Sequence, residues 1–120
     1  MSTPADTAGL TRDQRRSLAL GQAVAEALVQ DPDRALEMAR SNLVSMQTLH
    51  SRGDGKRMMH EWSVLLNGPS AQIVDMLTSV EPHARELREF SPFAGVLSQH
   101  QRLAVLASFR AAEDAEPPSA

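Results

Sequence analysis

Proline and glycine breakers divide this chain into short segments, and the apolar residues of each segment recur with a helical period. The breakers are Asp31-Pro32, Ser51–Gly55, Asn67-Gly68-Pro69, Glu81-Pro82 and the stretch from Pro92 to Gly95. Proline interrupts one helix and suits the first position of the next, so this spacing favours several short helices. No sustained alternation of apolar and polar residues indicates a strand. The sequence therefore predicts an all-α fold, an irregular bundle of five or six short helices in a single domain of 120 residues.

Capping residues place the ends of these helices. Thr11 with Gln14, and Ser98 with Gln101, have the spacing of capping boxes and should open the first and last helices. Further starts are predicted near residues 32, 56, 70 and 82, with Ser70 as a cap and 51–55 as a mobile turn. Trp62 shares a helix face with other apolar residues and is predicted to anchor the core. In the last helix, the residues predicted to face inward are Leu103, Leu106 and Phe109.

The two ends of the chain differ in composition from its middle. Residues 1–10 are rich in small and polar side chains and are expected to form a flexible leader, whereas 113–120 read as a disordered acidic tail. The helical domain is then predicted to cover 11–112. No basic stretch followed by an apolar one marks a secretory signal, and no apolar run is long enough to span a bilayer. The expected compartment is the cytoplasm, with no membrane association.

The residues that catalysis or metal binding requires do not come together in this sequence. There is no cysteine, and His60-Glu61 fails as a helical zinc motif because Val64 stands where a second histidine is needed. The glycines form no phosphate-binding loop, and no nucleophile motif is present. Removing Asp6, Glu113, Asp114 and Glu116 from 15 acidic residues leaves 11 against 12 basic ones, which argues weakly against a dedicated nucleic-acid surface. We therefore expect a binding protein without enzyme activity, metal or cofactor.

A charged strip followed by an aromatic loop is the most distinctive local pattern. Acidic and basic residues alternate from Arg85 to Glu89, and two phenylalanines flank Pro92. One interpretation is a solvated face carrying Glu–Arg pairs, beside a loop that plugs the core. The other is an exposed apolar patch with a charged rim that contacts a partner. On the second interpretation the partner-binding candidates are Arg85, Glu86, Arg88, Glu89, Phe90 and Phe93.

The loop also carries a resemblance to a protein family. Leu77–Ser98 contains an A-R-x-L-R segment that leads into S-P-F-A-G-V-L-S. Two further stretches agree with it, one from Leu28 through Ala39–Leu43 and one over Glu61–Pro69. Over most of its length the chain resembles a family of small actinobacterial all-helical proteins that share the SPFAGVLS motif. It departs from that family after Ser98, where Gln99-His100-Gln101 replaces a more acidic run.

The resemblance implies an antitoxin that is encoded beside its toxin, with a nucleotidyltransferase-like toxin the favoured partner. Neutralisation by direct contact is the leading hypothesis, and the acidic residues Glu113, Asp114 and Glu116 could imitate nucleic-acid phosphates. The alternative is a DNA-binding repressor acting on its own operon. Its nearest helix-turn-helix fit runs from Ser91 to Gly95 into the last helix, where Pro92 would interrupt the first helix. A structural adaptor that forms a homodimer is the third possibility.

Overall fold

Helices account for 79% of residues 9–115, the part of the chain that the computed structural model describes. They are α1 (Arg12–Gln30), α2 (Pro32–Leu49), α3 (Gly53–Leu66), α4 (Ser70–Thr78), α5 (Pro82–Glu89) and α6 (Gln99–Ala115). No strand occurs within those residues, so the all-α prediction is confirmed. In the same range, no helix has the length and apolar character that crossing a bilayer requires. The predicted leader falls on residues outside the described part, apart from Gly9 and Leu10.

Both predicted capping boxes are present. The Thr11 side chain accepts a hydrogen bond from the Gln14 backbone N–H at 3.1 Å, and the Gln14 side chain accepts one from the Thr11 N–H at 2.9 Å. Ser98 and Gln101 make the same reciprocal pair at 3.0 and 2.8 Å. Because the first N–H groups of a helix have no intrahelical acceptor, these side chains fix where α1 and α6 begin.

Two helix starts differ from the prediction. α3 begins at Gly53, before the predicted Lys56, so Gly53–Gly55 form its first turn and are not a mobile turn. Gly53 has a φ of +61°, which glycine adopts without steric cost and which lets the chain turn tightly from α2 into α3. At α4, Pro69 is the N-cap and Ser70 is already the first helical residue, so Ser70 does not cap that helix.

Trp62 lies at the centre of the core, as predicted. It is fully buried, and its indole Nε1 donates to the backbone oxygen of Leu87 at 2.8 Å. A buried indole N–H without an acceptor would be costly, so this bond ties α3 to α5. The largest fully buried side chains around it are Leu28, Met59, Ile73, Leu77, Leu87, Pro92 and Val96.

α1 and α4 cross unusually closely at Gly21. A β-carbon built on Gly21 would lie 2.2 Å from the backbone oxygen of Leu77, a distance that no real contact allows. The same β-carbon would lie 3.2 Å from Cδ of Arg88, which packs against this crossing from α5. Glycine is thus required at this position because the two backbones approach so closely that no side chain fits. Its backbone dihedral angles would be open to other residues.

α6 lies at the edge of the bundle and packs against α1. None of its residues is fully buried; Leu106 and Phe109 are half-buried, and Leu103 is 53% exposed, which corrects the predicted inward face. Arg15 on α1 holds its far end through the Glu113 carboxylate, with Nη2 to Oε1 at 2.5 Å and Nε to Oε2 at 3.1 Å. The helix therefore continues through Ala115, so 113–115 do not belong to a disordered tail, and 116–120 lie outside the described residues.

Replacing Gly21 with alanine should destabilise the protein. The new methyl group would push α1 away from Leu77, and overpacking of this kind costs about 1–3 kcal/mol. Gly68→Ala is the matched control, because a β-carbon there meets its neighbours at 3.6 Å and the residue has no positive φ. Urea unfolding of both variants measures the difference. Equal stability of Gly21→Ala and the parent would contradict the close crossing.

The docking of α6 should weaken at acid pH. Hydrogen bonding from the Arg15 side chain lowers the pKa of Glu113; burial opposes this shift, and the charges of Arg15 and Arg12 add smaller contributions in the lowering direction. The pKa of Glu113 is lower in the folded than in the unfolded chain. Its ion pair with Arg15 therefore contributes fully to stability above the unfolded-state pKa, and this contribution is lost as the pH falls through the folded-state pKa. NMR signals of α6 amides, followed during acid titration, should report the loss. Glu113→Gln should show it already at neutral pH.

Candidate partner interface

The aromatic loop folds back onto the core, as the first interpretation of the sequence predicted. Phe93 is 3% exposed, and Pro92 and Val96 are buried with it. The Nδ2 group of Asn42 on α2 donates to the backbone oxygens of Pro92 and Ala94, both at 2.8 Å. A single amide thus satisfies two carbonyls of a segment that has no secondary structure of its own, which stabilises its shape.

The three stretches that carry the family resemblance meet at this loop. Asn42 comes from the first stretch, Trp62 from the second and Phe93 from the loop itself. The Trp62 and Phe93 rings pack edge to face, with centroids 5.9 Å apart. In this chain, therefore, these residues hold the loop against α2 and α3.

Arg88, predicted as a partner-binding residue, is buried. Its Nη1 donates to the backbone oxygens of Met76 at 2.9 Å and Ser79 at 2.6 Å, at the C-terminal end of α4. Burial, and secondly the charge of Arg85, lowers the pKa of Arg88, although a guanidinium remains protonated at any physiological pH. The carbonyls at a helix C-terminus lack intrahelical donors and carry partial negative charge, so the cation is well placed there.

Two of the predicted contact residues are consequently unsuited to meet a partner in this fold. Arg88 and Phe93 are each at most 9% exposed, and both serve internal packing. The expected Glu–Arg pairs on α5 are also absent from the ion pairs of residues 9–115. Sequence spacing placed these charges on one helix but did not show that Arg88 turns toward α4.

Two of the four remaining candidates, Glu86 and Glu89 on α5, have exposed side chains and form what we call the acidic ridge. Two hollows flank it. A hollow of about 630 Å³ lies between α3 and α5 and includes the half-buried Phe90, whose ring meets His50 edge-on at 5.3 Å. A second hollow, of about 370 Å³, lies between α1 and α5 and includes the half-buried Arg85. Both glutamates border both hollows.

Further carboxylates surround the ridge. Asp13 borders the hollow on the α1 side, and Asp54 and Glu61 border the one on the α3 side. Asp54 pairs with Arg57, and Glu61 pairs with Nε2 of His83 at 2.5 Å. Within residues 9–115 no ion pair neutralises Glu86 or Glu89, so the ridge presents net negative charge.

The Glu61–His83 pair was missed by sequence reasoning. They are 22 residues apart and on different helices, so no local spacing could have joined them. The described residues contain no cluster of three potential metal ligands.

Comparison with protein-family models, with curated proteins and with solved structures finds no match to this chain.

Replacing Asn42 with alanine should loosen the loop. Two backbone carbonyls would lose their donor, and each hydrogen bond of this kind contributes about 0.5–1.5 kcal/mol to stability. Asn67→Ala is the matched control, since that exposed amide donates only to Ser63 within its own helix end and should cost less than about 1 kcal/mol. Denaturant unfolding gives both values. A smaller effect at Asn42 than at Asn67 would argue against its role in holding the loop.

Proposed function

We propose that this protein is an antitoxin that neutralises its cognate toxin by direct protein–protein binding, with the acidic ridge as the contact surface. The observation that carries the choice of surface is the exposure of Glu86 and Glu89 between two hollows, with no cation paired to either among residues 9–115. The antitoxin role itself rests on the resemblance to the SPFAGVLS proteins.

The charge of the ridge fits the favoured partner. A nucleotidyltransferase-like toxin must bind the phosphates of a nucleotide, and a cleft that does so carries positive charge. A surface row of carboxylates is electrostatically complementary to such a cleft and accelerates association with it. The ridge lies on a helix whose backbone is fixed to the core through Leu87, so the position of both glutamates along the surface is set before binding.

The acidic ridge replaces Glu113 as the proposed phosphate mimic. Glu113 is engaged by Arg15 and is only 15% exposed, so its carboxylate serves the α1–α6 packing. The larger hollow adds an apolar component, because Met58 and Phe90 line it beside the charges. Buried aromatic side chains commonly contribute most of the energy at such contacts, with charges at the rim setting specificity.

The decisive experiment expresses the neighbouring gene product with and without this chain. We expect the neighbour alone to arrest growth, and the pair to grow and to co-purify. In the double variant Glu86→Lys/Glu89→Lys, association should slow by at least about tenfold and become less sensitive to salt, because attraction is replaced by repulsion. Surface plasmon resonance at several salt concentrations measures both effects.

Glu26→Lys/Glu37→Lys is the matched control. These glutamates are exposed, lie on α1 and α2, border neither hollow, and produce the same change of net charge. If both double variants weaken binding equally, net charge and not the ridge governs the contact. A neighbour that is harmless, or that forms no complex, would refute the antitoxin role itself.

One observation favours a second candidate, binding to operator DNA. The exposed residues Arg12, Arg16 and Arg110 surround a small hollow where α1 meets α6, and the Arg12 guanidinium lies 5.7 Å from the centre of the Phe109 ring. Exposed arginines grouped in this way suit contacts with successive phosphates. A gel shift of the upstream DNA should then weaken steeply with salt and disappear in Arg12→Gln/Arg16→Gln. The absence of any specific shift, with or without the partner, would eliminate this candidate.

A further inference from the structure

A cleft of about 390 Å³, separate from the acidic ridge, lies between α1, the aromatic loop and the start of α6. Its volume falls within the range of about 300–1,000 Å³ typical of small-molecule sites. The walls are mainly apolar. They are formed by Leu20, Val24, Leu77, Phe93 and Leu97.

Arg88 lines this cleft and uses only two of its five N–H donors. It is 9% exposed, and both of its hydrogen bonds come from Nη1, to Met76 and Ser79. Nε is buried and has no partner among the described residues, and no hydrogen bond to them comes from Nη2. Nη2 thus keeps its N–H donors for a ligand, and guanidinium N–H groups make strong, charge-assisted hydrogen bonds to a carboxylate. Anchoring through Nη1 fixes the orientation of the guanidinium before any ligand binds.

A second cation lies at the rim. Arg102 on α6 is exposed and borders the same cleft, and the hydroxyl-bearing residues Ser17 and Ser91 border it as well. No ion pair of residues 9–115 neutralises Arg88 or Arg102, and the cleft has no acidic residue in its lining. The charge of Arg88 is offset only by the carbonyl dipoles at the end of α4, so an anion bound in the cleft would supply a full counter-charge in largely apolar surroundings.

We propose that this cleft binds a small amphipathic carboxylic acid, with the carboxylate between Arg88 and Arg102 and the hydrocarbon part against the apolar wall. A small inorganic anion would leave the apolar wall without a contact, and a neutral apolar molecule would leave the two arginines without a counter-charge. A molecule with both a carboxylate and a hydrocarbon part fits the cleft better than either. The ligand would bridge α1, α5, the loop and α6, so its binding stabilises the folded chain by mass action. This site shares none of the ridge residues Glu86 and Glu89 and does not depend on the proposed antitoxin role.

Octanoate is the probe, with octanol, acetate and inorganic phosphate as comparisons, each tested by thermal shift and isothermal titration on the full chain. We expect octanoate to bind at least about tenfold more tightly than each of the others, since only octanoate combines charge with an apolar body. NMR shifts should centre on the amides of Gly21 and Gly95, which border the cleft. Equal affinity for octanol, equal affinity for acetate or phosphate, no binding, or shifts centred elsewhere would each overturn the proposal.

Arg102→Gln tests the charge without touching the core, because the side chain is exposed and anchors no other element. It should weaken octanoate binding about tenfold and leave the affinity for octanol unchanged. Arg110→Gln is the matched control, an exposed arginine on the same helix outside the cleft, and should bind octanoate like the parent. Unchanged binding in Arg102→Gln, or equal loss in both variants, would overturn the assignment even if Arg88 variants fail to fold.

Discussion

The close approach of α1 and α4 at Gly21 is the constraint on which most of the structure depends. Because the backbones nearly touch there, Leu77 can enter the core and the end of α4 comes within reach of Arg88. Arg88 then binds the last carbonyls of α4 and positions α5. The indole of Trp62 fastens α5 from the other side through Leu87. Because α5 carries the acidic ridge and Arg88 lines the neighbouring cleft, the geometry of both depends on this packing of α1, α4 and α5.

Local chemistry made much of the fold predictable. Capping boxes and Asp-Pro or Glu-Pro pairs act within one helical turn, so the starts of α1, α2, α5 and α6 could be placed from sequence. α3 was misplaced because glycines signal a turn equally well before a helix and inside its first residues. α6 was misjudged for another reason. Its apolar residues recur at a helical period, but packing on one neighbour buries only part of that face.

The candidate site was predictable only in part, because it depends on where long side chains point. Glu86 and Glu89 could be placed on an exposed helix face from their spacing alone. The inward orientation of the Arg88 side chain could not be predicted from spacing, because the carbonyls that accept its hydrogen bonds lie at the end of another helix. Phe93 shows the same limit: an aromatic residue in a loop is compatible with a plug or with an exposed anchor, and its burial depends on Asn42 and Trp62, distant in sequence.

The peripheral attachment of α6 has a thermodynamic consequence. The helix adds little buried area and is held at its far end by one charged pair, so its removal leaves the core around Trp62 almost intact. We therefore expect two cooperative units of unequal stability, with α6 opening before global unfolding. A melting temperature measured on the core would then be higher than the temperature at which α6 detaches. Surfaces that include α6, such as the wall of the cleft at Arg102, would be lost at that lower temperature.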